Sequence, residues 1–131
     1  MPNDVHPLIA AVYAKDARRL AGFYLEVLAL SRVEEGSTFV LLGSERFELV
    51  IVQAPDAVAA SIEITEPPEV RIDMPMKLSF SVPNIESLRP TILRLGGGLK
   101  SWDAAWSWRS AKHLDGWDPE GNVFQLRQRE A

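Results

Sequence analysis

The chain has no cysteine among its 131 residues. That excludes disulfides, thiolate metal sites and cysteine nucleophiles. Histidine is nearly as scarce, with only His6 and His113, so the commonest metal ligand is in short supply. No apolar run approaches the ~18 residues of a membrane span, and no basic-then-apolar signal pattern opens the chain. A membrane partner is therefore not expected, and a cytoplasmic location is the default expectation. There is no long basic run, and the net charge is −4, which argues against a nucleic-acid partner. Nucleophile elbows, phosphate loops and closely spaced catalytic carboxylates are also missing.

What remains is an ordinary globular composition, 47% hydrophobic, long enough for one domain or two small modules sharing a core. Leu8–Ala14 reads as a first strand. Asp16 then caps a helix whose Leu20, Phe23, Tyr24, Val27 and Leu28 recur at helical spacing. Ser31–Glu34, Thr38–Leu42 and Arg46–Gln53 read as three strands, with turns at Gly36 and Gly43-Ser44. Residues 54–75 carry four prolines and read as a linker with a short helical turn near Asp56–Ala60, part of it available to cover a cavity.

The plan then repeats. Met76–Val82 is a predicted strand, and Asn84 caps a helix running to about Leu95. Pro90 should kink or delay that helix, and Gly96-Gly97-Gly98 ends it. Leu99–Trp102, Ser107–Leu114 and Asn122–Arg129 supply further strands. The last is entered through Asp118-Pro119-Glu120-Gly121-Asn122, in which Pro119 and Gly121 provide turn geometry. Strand-to-cap spacing is seven residues in both halves, from 9 to 16 and from 77 to 84. The organisation is thus one single domain of two β-α-β-β-β modules, about 5–54 and 76–131, with the linker about 55–75.

That repeat resembles the glyoxalase / bleomycin-resistance / extradiol-dioxygenase (vicinal oxygen chelate) superfamily. The resemblance rests on Tyr13-Ala14-Lys15-Asp16, Phe23-Tyr24 before Leu28-Ala29-Leu30, Met76–Asn84, Leu95-Gly96-Gly97 and the turn and strand at Asp118–Leu126. Each motif alone is weak; their order and spacing carry the resemblance. It implies an α+β fold in which two β-α-β-β-β modules with curled mixed sheets form a cleft, commonly in a homodimer.

The resemblance also specifies where a metal would be held. Family metalloenzymes place a histidine seven residues before each helix cap, a glutamate on the last strand of the first module and a glutamate on the final strand. Here these four positions read Ile9, Glu48, Lys77 and Gln125. An isoleucine cannot ligate, and an ammonium repels a divalent cation. A metal held open for glyoxalase or ring-cleavage chemistry needs about three protein ligands. The expectation is no metal and no cofactor. A rebuilt site using His6, His113 and Glu48 has no support from spacing.

Two readings of the altered positions stand. Lys77 could place its ammonium where the metal would sit, paired with Glu48 and hydrogen-bonded by the Gln125 amide. Alternatively, Glu48 and Lys77 are solvated strand residues. Strand parity places Lys77, Ser79 and Ser81 on one face and Val123, Gln125 and Arg127 on another cleft-facing row. Ile9, Ala11 and Tyr13 would line the opposing, more apolar wall. Trp102, Trp106, Trp108 and Trp117 fall within sixteen positions, as ligand-stacking rings or as packing and interface residues. Parity along a strand Ser107–Leu114 sets Arg109, Ala111 and His113 together, opposite Trp108 and Lys112. The expected ligand-binding set is Ile9, Tyr13, Glu48, Lys77, Ser79, Trp106, Trp108 and Gln125. Glu48, Lys77 and His113 are the weak catalytic candidates.

The functional expectation is a protein of this superfamily that lacks the family metal ligands and binds a small organic molecule, aromatic or antibiotic-like. The alternative is an enzyme of the same superfamily, lyase or dioxygenase-like, that acts on a small organic substrate without the usual metal site.

Overall fold

A computed structural model describes residues 8–130, so His6 lies outside the described residues. The chain divides between Glu63 and Ile64 into two compact units.

The first unit begins with strand β1, Ile9–Ala14, followed by helix α1, Ala17–Val27. Asp16 caps the helix as expected, its carboxylate accepting from the Arg19 amide at 3.2 Å. Gln53 reinforces this corner by accepting from the Ala17 amide and donating to the Lys15 carbonyl. The helix buries Leu20, Phe23, Tyr24 and Val27, the stripe that 3.6-residue periodicity assigns to one face. It ends at Leu28, beyond which Ala29 takes a left-handed φ of 53°. Strands β2, Ser31–Glu35, β3, Phe39–Gly43, and β4, Glu48–Gln53, follow, and a short helix α2, Asp56–Ser61, closes the unit. The sheet order is β1-β4-β3-β2, with β1 parallel to β4 and the other pairs antiparallel. Val40, Leu42, Leu49 and Ile51 are buried on the α1 side. The alternate residues of β1, Ile9, Ala11 and Tyr13, are exposed.

The second unit repeats the strand–helix–strands plan. Strand β5 is confined to Ser79–Ser81, shorter than the Met76–Val82 expected. Leu78 already accepts from the Gln125 amide, and Val82 donates to the Arg127 carbonyl, so the pairing frays one residue beyond either end. Asn84 accepts from the Ser87 amide at 2.9 Å. Pro90 has the delaying effect its chemistry predicts: a 3-10 turn at Glu86–Leu88 precedes helix α3, Arg89–Arg94, which carries proline in its first turn.

The remaining strands are β6, Gly98–Leu99, β7, Trp106–Trp108, β8, Ala111–Trp117, and β9, Val123–Arg129. Their order is β5-β9-β8-β6, with β7 paired to β8. Phe80, Ile85, Ile92, Leu114, Phe124 and Leu126 form the buried side. The single strand expected over Ser107–Leu114 is instead the two arms of a hairpin, β7 and β8, joined by Arg109-Ser110. Both turn residues have positive φ, 52° and 61°, the pattern of a two-residue type I′ connection. Neither is the glycine or asparagine that usually announces such a turn. Likewise, Leu99–Trp102 is strand only at its start, and Trp102–Ala104 is a 3-10 turn.

The Asp118–Asn122 turn is almost completely buried. Asp118 Oδ1 accepts from the amides of Glu120 and Asn122 at 2.9 and 3.1 Å. Gly121 has φ +84°, and a Cβ there would lie 2.1 Å from the Glu69 carbonyl oxygen. The Arg71 amide donates to the Gly121 carbonyl at 2.9 Å. The stretch before β5 is therefore fastened to this turn. The α+β class with two mixed sheets agrees with the sequence expectation, and the second unit carries one strand more than its module predicts.

Candidate functional site

Strand pairing determines which side chains share a face, because residues directly opposite in adjacent strands point the same way. Across the second sheet, Ser79 pairs with Gln125, and Gln125 with Asp115. In the next row Ser81 pairs with Arg127, Arg127 with His113, and His113 with Trp106. In the third, Arg129 pairs with Ala111 and Ala111 with Trp108. This face lies opposite the apolar one packed beneath α3.

Ser79, Trp106, Trp108, Arg109, Ala111, His113, Gln125 and Arg127 line a cavity of about 600 Å³. That volume falls within the ~300–1,000 Å³ typical of small-molecule sites. The Trp106 and His113 rings stack, with centroids 5.4 Å apart and planes 15° from parallel. Trp108 leans on the same imidazole at 5.7 Å, and the Arg109 guanidinium lies 5.6 Å from the Trp108 ring centre, a cation–π arrangement. His113 is only 4% exposed. Its Nε2 is 3.1 Å from the Trp108 carbonyl. A carbonyl only accepts, so this partner assigns the proton to Nε2 and leaves Nδ1 as the ring's acceptor. Arg127 donates through Nη1 to both the carbonyl and the hydroxyl of Ser79, at 2.7 and 3.1 Å.

The expected site residues are partly brought together. Ser79, Trp106, Trp108 and Gln125 meet in this cavity, with the candidate His113. Ile9 and Glu48 stand side by side in the first unit as register partners of β1 and β4, and Tyr13 is exposed farther along β1. One sequence expectation needs correction. Trp108 was placed opposite Ala111 and His113 by reading one continuous strand. The Arg109-Ser110 turn folds β7 back, so both tryptophans join the His113 face. Of the groups within its own unit, the Lys77 ammonium meets Asp115, with Nζ 2.9 Å from Oδ2. Asp115 is 6% exposed, and its Oδ1 has no hydrogen-bond partner among the described residues.

Arg109, Arg127 and Asp115 were missing from the expected site set. Alternation along β9 already put Arg127 beside Gln125, and alternation along β8 put Asp115 with His113. Parity along Ser107–Leu114 likewise set Arg109 with Ala111 and His113, although the structure puts Arg109 in the turn between β7 and β8. The tryptophans divide by role: Trp106 and Trp108 line the cavity, Trp117 covers Gly98, whose added Cβ would meet its ring at 2.2 Å, and Trp102 lies in the 3-10 turn.

The four positions where related metalloenzymes carry ligands do not fit a metal. Ile9 offers hydrocarbon, Gln125 a neutral amide, and Lys77 a cation already held by Asp115. Glu48 alone could ligate in the expected manner. Among the described residues, no group of three or more His, Cys, Asp or Glu side chains is placed to hold a metal ion. Likewise, no helix there is long and apolar enough to cross a membrane.

A family model described as a glyoxalase-like domain matches residues 9–127. Among solved structures, the chain is similar to a glyoxalase/bleomycin resistance protein/dioxygenase family enzyme from Burkholderia phytofirmans PsJN. That match has a TM-score of 0.69 at 17% identity and covers 95% of this chain and 99% of the other. A genomically encoded fosfomycin resistance protein from Listeria monocytogenes matches with a TM-score of 0.64 at 11% identity, over 98% and 93% of the two chains. An antibiotic binding protein from Streptomyces sp. CB03234 matches with a TM-score of 0.62 at 15% identity, over 99% and 100%. No curated protein matches the sequence significantly. At these identities the structural likenesses speak for the fold alone.

Proposed function

Starting from a chain that belongs to the glyoxalase-like domain family, we propose that it is a metal-independent binding protein for a small aromatic organic molecule. The observation that carries this reading is the cavity itself. Two tryptophans and a buried histidine form an aromatic wall, and Ser79, Gln125 and Arg127 supply polar groups beside it on the same sheet face. Such a mixture of apolar area and a few oriented polar groups is what small-molecule sites use. The altered ligand positions support the metal-independent part. One structural neighbour is described as an antibiotic binding protein, which makes antibiotic-like aromatics a sensible first panel. Exposed apolar side chains on β1, Ile9 and Tyr13 among them, support assembly as a homodimer.

A second reading, an enzyme of the same superfamily working without the usual metal, has His113 in its favour. The imidazole lines the cavity with one nitrogen engaged and the other available as a base. Glu48 and Lys77 have less support, because Lys77 is paired with Asp115 and neither is among the residues that line the cavity.

The deciding experiment is titration of chelator-treated protein with a panel of aromatic compounds, read by calorimetry and tryptophan fluorescence. Saturable binding that is lost in W106A and unchanged by added nickel, zinc or iron(II) is expected. Binding that appears only with a stoichiometric divalent cation would overturn the reading. Turnover of a bound compound, abolished by H113A, would select the second.

A further inference from the structure

The charge of the cavity identifies its ligand more closely than its shape does, given the reading above that it is a ligand site. The chain as a whole is acidic, with net charge −4. The cavity lining reverses that sign. It holds two guanidinium groups, Arg109 and Arg127, and no carboxylate among its described lining residues. The acid nearest in register is Asp115, across from Gln125; it does not line the cavity, and its Oδ2 is held by Lys77.

Arg127 is held in place. Two hydrogen bonds from its Nη1 to Ser79 fix the guanidinium, so little side-chain freedom is left to lose when a ligand binds. Its Nε and Nη2 hydrogens have no partner among the described residues. A carboxylate accepts from such adjacent donors through two oxygens in one plane. Beside it, the Trp106, His113 and Trp108 rings form a wall suited to a flat π-system. Arg109 already lies against Trp108 and adds positive potential at the outer rim. An amine-bearing aromatic would meet two cations with no acid to receive it.

We propose that the cavity takes a planar aromatic carboxylate, its rings against Trp106 and Trp108 and its carboxylate on the free edge of the Arg127 guanidinium. Gln125 supplies a further amide donor to the same end, and His113 Nδ1 accepts from a ring hydroxyl or N–H where the ligand has one.

The probes are 2-naphthoate, 2-naphthamide and 2-naphthylmethylammonium, which share one ring system and differ in charge. They are titrated by calorimetry into the full chain, free of metal. The carboxylate is expected to bind at least about tenfold more tightly than the amide, as a charge-assisted contact requires, and the ammonium more weakly than either. R127Q should bring the carboxylate down to the affinity of the amide while leaving the amide within about twofold. R127K, which keeps the charge and loses the fork, gives an intermediate preference and serves if R127Q does not fold. W106A should weaken all three. If the amide or the ammonium binds as tightly as the carboxylate and W106A still abolishes binding, the charge inference fails while the binding reading stands. If the carboxylate preference persists in R127Q, the assigned anion position is wrong. If none of the three binds, both readings fail together.

Discussion

Lys77 gives its ammonium to Asp115, 2.9 Å from Oδ2, and Asp115 stands directly across the sheet from Gln125. Two of the four positions that hold a metal in related enzymes are thereby drawn into a local polar arrangement. The carboxylate is almost fully buried while the lysine remains partly in water. A lone buried carboxylate is costly, and the ammonium offsets that cost.

Removing one member should therefore hurt more than removing both. K77M is expected to destabilise by about 1–3 kcal/mol, because it leaves Asp115 without its counter-charge. The double variant K77M/D115N should recover at least half of that loss. Urea titrations of the four proteins in a double-mutant cycle measure the coupling. A cycle with no coupling would show that the two side chains are merely close and that the pair does not contribute to stability.

The buried turn before the last strand makes a sharper prediction. G121A forces an L-residue into a left-handed backbone and drives its methyl into the Glu69 carbonyl. A loss of about 2–4 kcal/mol is expected from the two effects together. D118A strips the acceptor from the Glu120 and Asn122 amides inside the protein and should cost about 2–3 kcal/mol. Thermal denaturation of both variants checks this, with S44A on the exposed first-unit turn as a mild control. A G121A protein as stable as the parent would mean that residues 64–78 do not hold the turn as described.

Acid sensitivity should be visible at Glu86. Its carboxyl is held below the ordinary value by the hydrogen bond from Arg89, with burial working in the opposite direction. A lowered carboxyl contributes stability that is present above its unfolded-state value and lost as pH falls through the folded one. The pair is largely in solvent, so screening keeps the effect near or below about 0.5 kcal/mol. E86Q should thus be slightly less stable than the parent at neutral pH and equal to it at about pH 2, well under the usual glutamate range. A constant difference from neutral to strongly acid conditions would assign the effect to something other than ionisation. Arg89 itself also donates to the carbonyls of Leu99 and Lys100, so the glutamate is the cleaner position to vary.

Much of the fold was legible because it rests on local rules. Asp16 and Asn84 are side-chain caps of the residues that follow them, and the Leu20, Phe23, Tyr24 and Val27 stripe has only one periodicity. Pro90 announced its own late helix start. The Ile9, Lys77 and Gln125 replacements were readable position by position through the resemblance. The site was less legible, for two physical reasons. Arg109-Ser110 adopts left-handed angles without the residues that favour them, so nothing local revealed the hairpin that turns Trp106 and Trp108 toward His113. The partner of Lys77 is 38 residues away in sequence. Which carboxylate it meets is decided by the register of β8 on β9, and alternation within a single strand does not contain that information.

Strand β7 also bears on how such a site could change over generations. Its three residues are all exposed, it pairs with one neighbour only, and the side opposite the cavity wall contributes no buried core residue. Substitutions or length changes there reshape the aromatic wall without disturbing the packing under α3. That strand is thus an exchangeable attachment: under the proposed binding role, selection for a different ligand can rewrite it while the scaffold that folds the protein stays the same.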